Sequence, residues 1–278
     1  MVVRAPAKLN LCLYLGPRRD DGLHELVSLF CPLTLSDRIE ITDAEADEVI
    51  CPGVEGPNLA MAALEALRGR GWTHPPVRIE IEKRIPIAAG LGGGSADAAA
   101  VLRLLGGEVG GVAEAAAALG ADVPSQLDPQ PALVSGAGER VEPLPTPGEF
   151  AVVLIPDDEG LATADVYAEA DRQGFGRPAT ELAELAGRLR GAASAGASPL
   201  DYADLLVNDL QHAALALRPE IAEALSALEE AGAARALITG SGPTAVGLFD
   251  DLPAADRAVD SLPPRFASAL VAAPQRLV

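Results

Sequence analysis

Gly90, Gly92, Gly93 and Gly94 place four glycines in five positions, and Ser95 follows them. From Ser95 to Leu105 the chain is rich in Ala and Leu, with no Pro or Gly until Gly106, the composition of a helix. Ahead of the glycines, Val77-Arg78-Ile79-Glu80-Ile81-Glu82 alternates apolar and polar residues, the period of a half-buried strand. Glycines between a strand and a helix remove every nearby Cβ and let backbone N–H groups converge on a ligand. The helix N-terminus adds unpaired donors and partial positive charge, so the preferred guest is an anion such as phosphate. A flexible linker is the plain alternative, but linkers rarely run straight into a strong helix. No Lys-Ser or Lys-Thr pair follows the glycines, which excludes a P-loop. Ser95 stands where a dinucleotide fingerprint from Gly90 and Gly92 needs Gly or Ala.

Two charged residues extend the chemistry. Lys8 lies in an apolar, strand-like segment, where a solvated edge lysine is the ordinary reading. Asp122 stands two residues before Pro124, where it reads as the N-cap of a short helix. Taken with a phosphate loop they form a set. An aspartate accepts a hydroxyl proton, and a nearby lysine keeps it ionised while offsetting charge on a transferred group. Late in the chain, Gly240, Gly242 and Ala245 of Thr239-Gly240-Ser241-Gly242-Pro243-Thr244-Ala245 match the dinucleotide spacing. Pro243 inside the match and the strand-like Ala245–Phe249 run exclude that motif. The segment is a hairpin turn whose hydroxyls can line a polar substrate.

The elements that must hold these residues are legible in outline. Val2–Leu15 reads as extended, broken at Pro6, with a polar turn over 16–22. His24–Phe30 reads as a strand or short helix, and Asp37–Thr42 as a separate strand. Asn58 caps a helix to Leu67, and Val112–Leu119 forms another before Gly120. Short strands follow around 132–134 and 139–141, and Pro143–Pro147 is the expected domain boundary. Beyond it come a buried strand at Ala151–Ile155, a helix from Thr163 to Ala170 and one short helix within 174–198. Helices over 208–217 and from Pro219 to Gly232, strands over 236–239, 245–249 and 267–272, and a helix over 253–261 complete the order. This order suits an α+β fold with helices on one face of an antiparallel sheet.

Composition narrows the function further. The 278 residues have room for one large domain or two moderate ones. With 3% aromatic residues, the core must be built from Ala, Val, Leu and Ile. The formal charge of −19 disfavours a nucleic-acid or anionic-membrane partner. Cys12, Cys31 and Cys51 are dispersed and suit buried free thiols in a reducing cytoplasm, not a metal cluster. No run approaches the roughly 18 apolar residues of a membrane span. The expectation is a cytoplasmic protein, monomer or weak homodimer, acting on a small-molecule substrate.

Four segments carry a family resemblance. Pro6-Ala7-Lys8-Leu9-Asn10, the loop Pro86-Ile87-Ala88-Ala89-Gly90-Leu91-Gly92-Gly93-Gly94-Ser95-Ala96, Gly120-Ala121-Asp122-Val123-Pro124 and Thr239-Gly240-Ser241-Gly242-Pro243 occur in the order of the GHMP-kinase motifs. The chain resembles that family from residue 5 to about residue 250. Asp21-Gly22-Leu23-His24-Glu25-Leu26 and the opening segment bring the resemblance to the branch acting on a cytidine-diphosphate-linked methylerythritol in non-mevalonate isoprenoid synthesis.

The resemblance implies an α+β architecture, with a ribosomal-S5-like ATP-binding domain over 1–147 and a ferredoxin-like domain over 148–278. It implies transfer of phosphate from ATP, with Mg²⁺, to the 2-hydroxyl of the methylerythritol unit. Asp122 is then the general base and Lys8 its partner, and Pro86 to Ala96 hold the ATP phosphates. Ser95 reaches phosphate or Mg²⁺, and Asn58 lies near the adenine. Asn10 lies near the methylerythritol, His24 hydrogen-bonds the cytosine and Tyr167 stacks on it. Thr163, Gly240, Ser241 and Gly242 complete the acceptor side. Leu23 departs from the family's usual Tyr, removing a stacking face worth roughly 1–3 kcal/mol. The alternatives are a GHMP kinase for homoserine, mevalonate or a sugar, and a nucleotide-binding module without chemistry.

Overall fold

The computed structural model describes residues 1–157 and 159–276. The strands are β1 (Val2–Arg18), β2 (His24–Asp43), β3 (Glu48–Ile50), β4 (Val77–Glu82), β5 (Ala132–Gly136), β6 (Arg140–Pro143), β7 (Ala151–Ile155), β8 (Arg235–Ile238), β9 (Ala245–Phe249) and β10 (Leu270–Ala272). The helices are α1 (Leu59–Gly69), α2 (Gly93–Leu105), α3 (Val112–Leu119), α4 (Val123–Gln126), α5 (Thr163–Gln173), α6 (Ala179–Ala193), α7 (Gln211–Leu217), α8 (Ile221–Glu230) and α9 (Leu252–Ser261). The chain packs as two compact units, one of residues 1–8, 35–87 and 92–129, the other of residues 9–34, 88–91 and 130 onward.

In the first unit, β4 buries Val77, Ile79 and Ile81 and exposes the charged residues between them, as its alternation requires. It pairs antiparallel with β2 from Arg38↔Glu82 to Asp43↔Val77. The other edge of β4 takes β3 in parallel, so the sheet is not wholly antiparallel as expected. A parallel neighbour needs a crossover, and α1 lies in the stretch between β3 and β4 that makes it. Asn58 caps α1 as expected, its Oδ1 accepting from Ala60 N at 2.8 Å. Helix α2 is buried at every position from Ala96 to Leu102. A helix enclosed on all sides needs small side chains, which explains its run of alanines. The surrounding core comes from Ile39, Ile41, Leu64, Leu67 and Ile79.

In the second unit, the sheet order is β10-β7-β9-β8, antiparallel throughout. β7 and β9 are buried along their whole length, as their continuous apolar runs require. β2 joins the two segments that the sequence suggested as separate. Its interior Pro32 is tolerated because the β5 ladder ends at Phe30 and the next bonds bypass the missing N–H. Pro32 O accepts from Gln275 N, and Thr34 N donates to Ala273 O, both at 2.8 Å. β1 likewise runs unbroken through Pro6. The Gly- and Ala-rich stretch holds a 15-residue helix, α6, longer than expected. Its buried Leu182, Leu185, Leu189 and Ala193 keep one apolar stripe despite Gly187 and Gly191.

Cys12 and Cys31 are buried free thiols, and burial pushes both pKa values up to about 12. Cys51 is free and only half-buried. Among the described residues no helix is long and apolar enough to cross a membrane.

Candidate active site

In the first unit the two charged residues meet. Lys8 Nζ lies 3.1 Å from Asp122 Oδ2, although 114 positions separate them in sequence. Lys8 is 6% exposed, so it is not the solvated edge lysine that its pattern suggests. Asp122 occupies the N-cap position of α4, but its side chain makes no capping bond and is turned to Lys8 instead. Its backbone oxygen accepts from Ser125 Oγ at 2.8 Å, which fixes the turn leading into α4.

The glycine loop explains why Lys8 can reach. Gly92 has φ +68° at the N-cap of α2, and a Cβ there would stand 2.7 Å from Lys8 Cγ. Only glycine satisfies both the left-handed backbone and the lysine stem. No side chain caps α2. Its N-cap, Gly92, offers no side-chain oxygen to the first-turn N–H groups of Gly93, Gly94 and Ser95, the arrangement that an anion site uses. The helix starts two residues earlier than expected, at Gly93, so these glycines form its first turn. Ser95 is half-buried beside them.

Beneath that turn lies a cluster that the sequence pattern does not reveal. Lys83 Nζ donates to Asp37 Oδ2 at 2.5 Å and to Asp97 Oδ2 at 2.8 Å. Burial pushes the Asp97 carboxyl well above the usual carboxylate range, against the pull of Lys83. Burial opposes the Lys83 ammonium too, but Asp97 and Asp37 together carry its pKa above the lysine norm. The available signal is Asp97 itself, the one charged residue in the Ala96–Leu102 run.

The second unit holds the remaining residues. Asn10 N donates to Thr239 Oγ1 at 3.0 Å, and its Nδ2 donates to Ser28 Oγ at 2.8 Å. Thr163 Oγ1 and Ser241 Oγ lie 2.9 Å apart. His24 is buried, with Nδ1 3.2 Å from Gly16 O and Nε2 3.1 Å from Asp171 Oδ1. The Asp171 contact is not aligned as a hydrogen bond. The rings of His24 and Tyr167 are 5.5 Å apart and tilted by 43°. Leu23 is 53% exposed.

The turn from Thr239 to Thr244 is closed by Thr239 N to Thr244 O and Gly242 N to Thr239 O. Asn208, which no sequence motif singles out, holds it from outside. Its Nδ2 donates to Ile238 O at 2.9 Å and Gly240 O at 2.8 Å, and its Oδ1 accepts from Leu210 N. Gly90 packs on the same turn, since a Cβ there would lie 2.6 Å from Thr239 O and 2.9 Å from Gly242 O.

Comparison with known proteins places the chain in a family. The model of the GHMP kinases N terminal domain matches residues 58–136, and that of the GHMP kinases C terminal matches residues 169–268. A 4-diphosphocytidyl-2-C-methyl-D-erythritol kinase of Kineococcus radiotolerans is 39% identical, over 92% of this chain and 83% of its own. One from Anaeromyxobacter sp. strain K is 42% identical, over 90% and 80%. A crystal structure of 4-(cytidine 5'-diphospho)-2C-methyl-D-erythritol kinase superposes with a TM-score of 0.80 at 35% identity, covering 99% of this chain and 100% of that one. The chain belongs to the GHMP kinases, in the family of the 4-diphosphocytidyl-2-C-methyl-D-erythritol kinases.

Proposed function

We propose that the protein transfers the γ-phosphoryl group of ATP to the 2-hydroxyl of 4-diphosphocytidyl-2-C-methyl-D-erythritol, a step of non-mevalonate isoprenoid precursor synthesis. The observation that carries this reading is the Lys8–Asp122 pair at 3.1 Å, with the lysine stem laid across Gly92 of the uncapped loop. Family membership supplies the kinase chemistry and the pair supplies its two charged groups. Domains over 1–147 and 148–278, with a boundary at 143–147, remain part of this proposal; the compact units divide the chain differently, with residues 9–34 and 88–91 grouped with 130 onward.

Phosphoryl transfer needs positioning and charge neutralisation more than covalent chemistry. Residues Pro86 to Ala96 receive the ATP phosphates on the N–H groups of the first turn of α2, and Asn58 lies on the adenine side. Asp122 accepts the proton of the acceptor hydroxyl, and the Lys8 ammonium orients that carboxylate and offsets charge on the moving group. Among the described residues no group of three or more His, Cys, Asp or Glu can hold an ion. That fits Mg²⁺ carried mainly by the ATP phosphates, with the half-buried Ser95 hydroxyl as the protein ligand. The ion would neutralise phosphate charge there.

On the acceptor side, His24 hydrogen-bonds the cytosine, Tyr167 stacks on it, and Asn10, Thr163, Gly240, Ser241 and Gly242 receive the methylerythritol part. Asp122→Ala tests the assignment. We expect turnover with the cytidylyl acceptor to fall by roughly 10²–10⁴ while ATP binding by calorimetry persists. Wild-type turnover in that variant would remove Asp122 from the mechanism. A panel with mevalonate, homoserine and a sugar tests the acceptor, and preference for any of them would overturn the substrate.

A further inference from the structure

The ion triad of Asp37, Lys83 and Asp97 has no part in the mechanism above, yet it sits at both ends of the phosphate loop. Asp37 is fully buried and Asp97 is 3% exposed. On the entry side, Asp37 Oδ1 accepts from Arg84 N at 2.6 Å and Ile85 N at 2.9 Å, the last two residues before Pro86. On the exit side, Lys83 Nζ bonds Asp97 Oδ2, in α2 just beyond the glycines. The two ends are joined by the bond from Lys83 Nζ to Asp37 Oδ2. Lys83 also runs directly under the loop's last turn, where a Cβ on Gly93 would stand 3.2 Å from Nζ.

Two carboxylates against one ammonium add no net positive charge, so the triad does not attract phosphate. Burying three ionic groups is also a poor route to stability, because desolvation offsets their mutual attraction. What the geometry does deliver is a fixed separation between the two ends of a flexible, glycine-rich segment. A loop whose ends are fixed loses less conformational freedom when it closes on a ligand, so its donors are preorganised. We propose that Lys83, clasped between Asp37 and Asp97, is a positioning residue that sets the phosphate loop for nucleotide binding. The proposal rests on the reading of that loop as the ATP site.

Lys83→Met keeps the length and removes the clasp. The expected result is at least tenfold weaker ATP binding by titration calorimetry, with the KM for the cytidylyl acceptor within twofold of wild type. A folded Lys83→Met that binds ATP as wild type does would overturn the proposal. So would a parallel rise of both constants with a lowered Tm, the mark of a merely structural role. If that variant does not fold, Asp97→Asn preserves shape and weakens only the charge-assisted bond. It should weaken ATP binding about threefold with the acceptor KM unchanged, and an unchanged ATP affinity would again overturn the clasp. Wild-type turnover is measured alongside. Failure of the wild type to phosphorylate the acceptor, with ATP binding lost in Lys83→Met, would sink the substrate reading and leave the clasp standing.

Discussion

Two glycine-rich segments in this chain do opposite things with the same residue. In the loop at 90–94, which we assign to the ATP phosphates, the glycines admit close neighbours, and a helix with a glycine N-cap comes at once. In the turn at 239–244 the glycines let the chain double back, and distant side chains hold it closed. Gly240 and Gly242 take φ +58° and +82° there, and Asn208 ties the carbonyls of Ile238 and Gly240. The first segment is ready to give hydrogen bonds; the second consumes them internally and presents hydroxyls. A glycine motif is therefore informative about chemistry only together with the element it leads into, a helix in one case and a strand in the other.

The largest test of this contrast exchanges single hydrogens for methyl groups. Gly90→Ala drives a Cβ into two backbone carbonyls of the 239–244 turn, Thr239 O and Gly242 O, at φ +71°. Backbone cannot step aside, so unfolding should become easier by about 3 kcal/mol or more, read as a lowered denaturant midpoint. Gly92→Ala meets the Lys8 stem, with Cγ 2.7 Å away, and so presses on a side chain rather than on backbone. It should cost about 1–2 kcal/mol in stability for the left-handed backbone, yet displace Lys8 and lower kcat far more than Gly90→Ala per unit of stability lost. Equal stability losses in the two variants would erase the distinction between the segments.

Asn208→Ala attacks the turn from the other side. It leaves Ile238 O, Gly240 O and Leu210 N without their side-chain partner. A buried group left unsatisfied costs about 1–3 kcal/mol, so we expect a loss near 2–3 kcal/mol after local relaxation. The KM for the cytidylyl acceptor should rise while ATP binding holds. A rise in the ATP constant alone would contradict the assignment of the turn to the acceptor.

This contrast also governs what is legible in the sequence. β4, α3, β7 and β9 have the bounds that period and composition indicate, because their burial follows local pattern. The glycine loop that we assign to phosphate is legible for the same reason, its glycines and its helix being neighbours in sequence. Lys8 and Asp122 point to surface roles when taken singly, and only the family motifs pair them. The triad and Asn208 leave almost no trace. Asp37 and Lys83 are 46 residues apart, and Asn208 reaches 30 residues on to Ile238. Side-chain bonds across such separations carry no periodicity. β2 reads as two segments for a related reason, since Pro32 breaks a strand only where a ladder needs its N–H.

Leu23→Tyr probes the acceptor side more gently. Leu23 is exposed next to His24, whose ring faces Tyr167. A second aromatic face there should add about 1 kcal/mol of stacking, the low end for an exposed position, and lower the acceptor KM about fivefold. The ATP constant should not move. An unchanged acceptor KM would place the cytosine away from residue 23.

The smallest effect is expected at Ala88, on the entry side of the loop. It carries φ +55°, the one non-glycine residue among those described to do so, and it is exposed. A left-handed conformation costs an L-residue about 1–2 kcal/mol, which Ala88→Gly would return. Against this, glycine gives the unfolded chain more freedom, a loss of about 0.4–1 kcal/mol. The two terms nearly cancel, leaving about 0.5 kcal/mol of net stabilisation in chemical denaturation. ATP binding decides what that strain does. If the strained residue helps hold the loop in its ligand-ready form, Ala88→Gly will be slightly more stable and bind ATP slightly less tightly. If both stability and affinity rise together, the strain at Ala88 has no part in preorganising the loop, and the Lys83 clasp acts alone.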